Sequence, residues 1–114
     1  MRLYLAGPMR GIPEFNFPAF FEAAKKLRTE GHIVFSPAER DTLQHGESIW
    51  KGSTGDLGPA VQKGFSLREA LQADTKWICM EAEGIALLPG WETSKGARAE
   101  KALAEALGLE VRYL

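Results

Sequence analysis

The chain has 114 residues, 45% apolar and 25% charged, which fits one compact domain over residues 1–114 and excludes a disordered one. A net charge of −1 excludes a general attraction to nucleic acid or an anionic membrane, and no apolar run reaches the roughly 20 residues that cross a bilayer. The lone cysteine, Cys79, has no partner for an internal disulfide, so a reducing cytoplasm is the expected compartment.

"RLYLA", residues 2–6, is a short apolar run stopped by Gly7-Pro8 and reads as a buried strand. The opening "MRLYLAGPMRG" has too short an apolar part for a leader and reads as strand then turn. From Phe17, apolar residues recur at helical spacing (Phe17, Phe20, Ala24, Leu27), and Gly31 closes the segment. "HIVFS" is a second strand, stopped by Pro37. Residues 37–65 show no period and hold five glycines, which predicts a long loop, either a lid or binding loop or a disordered stretch.

"SLREALQADTKWICMEAE" opens with Ser66 three residues before Glu69, a capping box, and predicts a second helix. "GIALLPG" is a third strand, "SKGARAEKALAEALG" a third helix ending at Gly108, and "LEVRYL" a last strand. Strands alternating with helices predict a flavodoxin-like parallel sheet of four to five strands with helices on both faces. Ligands of such sheets bind beyond the carboxyl ends of the strands, which points at Gly7–Gly11, Pro37 onward and Pro89–Ser94.

At about 100° per residue, the third helix gathers Gly96, Ala99, Ala102, Leu103, Ala106 and Leu107 into one apolar arc, with Glu100 at its edge. Glu100 also lies near the helix start, where the dipole favours an ionised carboxylate. In the second helix Asp74 falls in the middle of an apolar arc of Leu67, Ala70, Leu71, Trp77 and Ile78. An enclosed carboxyl has its pKa raised, as a general acid needs. One acid kept ionised and one kept protonated is the nucleophile-plus-acid pattern of glycoside chemistry. The alternative is that both carboxyls cap loops or pair with arginine. Tyr4, mid-strand, needs a partner for its hydroxyl, either a carboxylate at the sheet end or a backbone group.

The glycine-rich turn Gly7-Pro8-Met9-Arg10-Gly11 can aim backbone N–H groups at an anion, and Arg10 can grip a phosphate. The plainer alternative is an ordinary strand-to-helix turn with Arg10 in solvent. Ser94 is an anion ligand or simply a helix N-cap. Trp91, at a strand's carboxyl end, either stacks on a base or packs. His32 and His45 have no companions at metal-ligand spacing, so no metal and no cofactor are expected.

These residues also carry a likeness. The chain resembles the nucleoside 2-deoxyribosyltransferase-like superfamily, nearest its small, often phage-encoded members. The resemblance rests on "YLAGPMRG", "LREALQADTKWI" and "LLPGWETSKGARAEKALAEALG". Gly96, Glu100 and Gly108 stand where the family places its nucleophilic glutamate and two flanking glycines. The resemblance implies Glu100 as the nucleophile on an anomeric carbon, Asp74 as the acid at the leaving base, and Tyr4 as the residue that orients the glutamate. It also implies a nucleotide or nucleoside partner and a homodimer or larger homo-oligomer.

Transferases of the family often carry an aspartate six residues before the nucleophile, where this chain has Ser94. A serine there, with an "xxRG" loop, resembles the branch that hydrolyses deoxynucleoside 5′-monophosphates. The expected activity is therefore N-glycosidic cleavage of a nucleoside 5′-monophosphate. The alternatives are base exchange by a deoxyribosyltransferase and a non-catalytic nucleotide-binding module.

Overall fold

Four short strands, β1 (Arg2–Ala6), β2 (Ile33–Phe35), β3 (Gly84–Leu87) and β4 (Glu110–Tyr113), form one sheet in the order β2-β1-β3-β4. Every pair is parallel, with Tyr4 opposite Phe35 on one side and Ile85 on the other. The structure is a computed structural model and describes residues 1–114. Five helices accompany the sheet: α1 (Phe17–Thr29), α2 (Pro37–His45), α3 (Leu57–Gln62), α4 (Leu67–Met80) and α5 (Lys95–Ala106). This is an α/β flavodoxin-like fold, as the alternating pattern predicts. The chain runs outward from β1 to β2, then returns to lay β3 on the other side of β1. The loops after β1 and β3 therefore flank the point where the strand order reverses, where such sheets bind ligands.

The strand sequences explain the layering. The central strands β1 and β3 are buried almost throughout, while the edge strands β2 and β4 are partly open. Side chains alternate across a strand. Leu3 and Leu5 thus enter one core with Phe17, Phe20, Ala24 and Leu27 of α1. Tyr4 and Ala6 enter the opposite core with Ile78 of α4 and Ala97 and Ala104 of α5. This parity puts the Tyr4 hydroxyl on the side of the sheet that α4 and α5 cover.

Two sequence expectations need correction. Residues 37–65 are not one long loop: they hold α2, a 3-10 turn at Glu47–Ile49, and α3. The segment hides its helices because both are short, α2 is mostly polar, and α3 holds a glycine and a proline. α2 starts with Pro37 in its first turn and buries Pro37, Ala38 and Asp41, so the residue that completes its inner face is an acid. The apolar arc of α5 is also rotated from the expected one. Ala97, Glu100 and Ala104 face inward, whereas Ala99, Ala102, Ala106 and Leu107 are exposed. With so many alanines, sequence contrast does not fix which side is buried. Glu100 sits at the centre of the buried face, not at its edge.

The caps follow the sequence. Ser66 Oγ accepts from Glu69 N–H at 3.3 Å, and Ser94 Oγ accepts from Ala97 N–H at 3.1 Å. One part of the frame is strained: Glu14, Phe15 and Asn16 all hold left-handed backbone, with φ of 58°, 53° and 63°. Long-range bonds impose that turn. Glu14 N–H donates to Ser53 O and Gly11 N–H to Gly55 O, while Asn16 Nδ2 donates to Pro8 O. Gly55 runs so close to this segment that a Cβ there would meet Ile12 O at 2.3 Å. No helix is long and apolar enough to cross a membrane.

Candidate active site

At the carboxyl end of the sheet lies a cavity of about 450 Å³. The loop after β1 supplies Gly7, Pro8, Met9, Arg10, Gly11 and Ile12 to its lining, and the turn before α5 supplies Thr93, Ser94 and Lys95. The remaining wall is apolar (Phe15, Phe17, Ile49, Leu57, Ala60, Phe65 and Leu67) except for Asp41. The lining is therefore chemically mixed. Arg10, Ser94 and Lys95 are polar or cationic, and the rest is largely apolar with a single acid.

Arg10 and Lys95 are exposed and neither is paired with a carboxylate. Ser94 accepts Ala97 N–H as the N-cap of α5, which leaves its hydroxyl proton to donate outward. Cations, a hydroxyl and a helix start together suit an anion. The backbone cradle expected of the loop is not there at Gly11. Its N–H donates to Gly55 O at 3.0 Å, Ile12 N–H is taken by Met9 O at 3.2 Å, and Pro8 has none to give. The N–H groups of Gly7, Met9 and Arg10 have no acceptor in the protein and stay available beside the side chains. Gly7 has a packing role: a Cβ there would sit 2.7 Å from Leu88 Cβ, so glycine lets the β1 and β3 loops close together.

Behind this cavity is the acid cluster. Tyr4 Oη donates to Glu100 Oε2 at 2.5 Å, in a buried pair linking the middle of β1 to α5. Glu100 and Asp74 are each only 6% exposed. Asp74 also lies within reach of the same hydroxyl, and its Oδ1 is buried with no hydrogen-bond partner. The phenol ring is held by stacking: Tyr4 on Phe35 at 5.6 Å, and Phe35 on Trp77 of α4 at 5.3 Å.

Burial sets the protonation of the cluster. It pushes Glu100 up to about 8, partly offset by the Tyr4 hydrogen bond and reinforced by the charge of Asp74. Burial likewise pushes Asp74 up to about 7, reinforced by the charge of Asp41. Tyr4 is raised well above its ordinary value, first by burial and then by Glu100 and Asp74. This corrects the expectation that Glu100 stays ionised beside a protonated Asp74. In the unliganded site both acids are reluctant to ionise, because desolvation of Glu100 outweighs a helix start one and a half turns away.

Tyr4, Asp74 and Glu100 come together as the sequence suggests, and Pro8, Met9, Arg10 and Ser94 line the adjoining cavity. Gly96 lies outside the lining, in the first turn of α5, where its open Cα face leaves space above Ser94 Oγ. Trp91 is a correction. It lies outside the lining and packs on Tyr113 at 5.8 Å, with Lys101 Nζ 5.1 Å from its ring centre, so it is not placed to stack on a base. Sequence reasoning missed Thr93, Lys95 and Asp41. The first two flank Ser94 and were legible by adjacency. Asp41 was hidden inside the segment read as a loop.

Residues 1–113 match the family described as a domain of unknown function, DUF4406, and the chain belongs to that family. No curated protein and no solved structure matches it.

Proposed function

We propose that this DUF4406 protein cleaves the N-glycosidic bond of a nucleoside 5′-monophosphate, through Glu100 as nucleophile. The observation that carries the reading is the buried Tyr4–Glu100 hydrogen bond beside Asp74, behind a cavity whose lining includes Arg10, Ser94 and Lys95. Burying two acids next to a tyrosine disfavours the charged state of each, and a fold gains nothing structural from it. Such an arrangement suits a site that must pass a proton and meet a developing cation.

In this reading Arg10, Ser94 and Lys95 hold the phosphate and fix the sugar. Charge developing on the sugar ring favours the ionised form of Glu100, so the proton held by the pair moves to Asp74. Glu100 Oε attacks the anomeric carbon, the carbon–nitrogen bond breaks, and Asp74 protonates the departing base. Water then attacks the glycosyl ester, restores Glu100 and releases the sugar phosphate. Glu100 and Asp74 are each 6% exposed, so the sugar reaches them only from the cavity side.

The test is a panel of ribo- and deoxynucleoside monophosphates assayed for released base. The wild type releases base from at least one. Glu100→Ala keeps the circular dichroism spectrum and loses at least about a thousandfold in rate. Wild-type rates in that variant would overturn the mechanism. Adding a free acceptor base separates hydrolysis from transfer, because only a transferase returns a new nucleotide.

A further inference from the structure

Asp41 is the one acid on the cavity wall; its charge helps to raise Asp74, but it makes no hydrogen bond to Arg10, Ser94, Lys95, Tyr4 or Glu100. It is 5% exposed, on the inner face of α2, surrounded in the lining by Ile49, Leu57, Ala60 and Phe65. Its Oδ1 accepts from Arg40 Nη1 at 2.9 Å, and its Oδ2 accepts nothing from the protein. That oxygen is not sealed from solvent, so on the cavity wall it is open to a ligand that donates to it. α2 packs against α4, the helix that carries Asp74, whose Oδ1 is likewise orphaned.

From this geometry we infer that Asp41 reads the base: the apolar slot takes the faces of a planar heterocycle, and Asp41 Oδ2 accepts from an exocyclic amino group on its edge. The substrate class is then the amino-bearing nucleotides, those of cytosine and adenine, over their oxo counterparts, those of uracil and hypoxanthine. The inference rests on the nucleotide reading above and deepens it.

The chemistry follows from donor and acceptor types. An ionised carboxylate only accepts hydrogen bonds, and the N4 amino group of cytosine is a donor that carboxylates pair with. The O4 of uracil in the same place sets acceptor against acceptor and leaves both unpaired in an apolar wall. Arg40 supports the ionised form. Burial pushes Asp41 up, first and most, to about 6, while the charge and hydrogen bond of Arg40 pull it down. Asp41 is therefore mainly ionised at neutral pH. The slot makes no directional demand on ring size, because Phe65, Leu67 and Ile49 offer only contact area.

The test measures binding in a Glu100→Gln background, where turnover does not interfere, by calorimetry with dCMP against dUMP and dAMP against dIMP. At least one amino-bearing member binds about tenfold or more tighter than its oxo partner. Adding Asp41→Asn brings that ratio to within about threefold, because an amide both donates and accepts. Asp41→Ala with the same collapse guards against an effect special to asparagine, and circular dichroism checks that each variant is folded. Equal binding of both members in both pairs, no binding of any, or a ratio that survives Asp41→Asn in a folded protein overturns the inference. Base release from wild type is assayed separately. A binding preference that depends on Asp41 without release by wild type sinks the catalytic reading and leaves the inference standing.

Discussion

Replacing Glu100 with glutamine removes an ionisable group from the most enclosed polar position on α5. The free glutamate titrates near 4.5, and burial in the folded protein pushes Glu100 up to about 8. Between those two values the native state holds more protons than the unfolded chain. Stability is therefore fully present below about pH 4.5 and falls as pH rises through about 8. Integrated from pH 5 to pH 8 at about 1.36 kcal/mol per unit, Glu100 alone costs the wild type about 3 kcal/mol. For a domain of this size that is roughly 10–15 °C in Tm. Glutamine keeps an oxygen for the Tyr4 hydroxyl but never ionises. Its buried amide adds a penalty of about 1–3 kcal/mol that does not vary with pH. Thermal unfolding of both proteins at pH 5, 6, 7 and 8, at fixed ionic strength, separates the slope from the offset. The wild type loses Tm with rising pH, and Glu100→Gln loses distinctly less, keeping only the slope from Asp74 and Asp41. A wild-type Tm that is flat or rises between pH 5 and 8, or an unchanged slope in the variant, would refute the burial argument.

Tyr4→Phe removes the hydrogen bond that holds Glu100 down, so Glu100 rises further, and the loss of a buried partner costs about 1–3 kcal/mol in denaturant unfolding. On a cleaved nucleotide its pH–rate profile shifts its alkaline limb upward, because Glu100 sets the higher of the two values, and an unshifted limb would show that Tyr4 does not tune Glu100. Arg10→Ala raises KM for monophosphates by about tenfold or more while leaving the corresponding nucleosides unaffected, as steady-state kinetics would show. Gly7→Ala forces a Cβ to 2.7 Å from Leu88 Cβ, and chemical denaturation should show a loss of about 1–3 kcal/mol. The wild-type pH–rate profile is bell-shaped with apparent values between about 7 and 8, which belong to the Glu100–Asp74 pair and not to either residue.

Local signals carried much of the fold. Gly7-Pro8, Gly31 and Gly108 mark element ends because glycine and proline act on their own backbone, and Ser66 and Ser94 cap helices through bonds to residues three positions on. The period of apolar residues located α1 and α4 and placed Asp74 on a buried face. Where side chains are small or polar, that signal fails. The alanines of α5 leave its buried side undetermined, and α2 hides because its inner face ends in Asp41.

The sequence by itself therefore determined the order of the four strands with α1, α4 and α5, the caps, and the identity of Glu100 and Asp74 as acids out of keeping with their neighbours. Those follow from interactions within a few residues. The tertiary structure decided what lies opposite those acids: that the parity of β1 turns Tyr4 toward Glu100, that Trp91 is spent on Tyr113, that Gly55 takes the Gly11 amide, and that Asp41 alone breaks the apolar wall. It also decided the protonation of the cluster, because desolvation is set by how many elements close over a group and not by the group's own position on a helix.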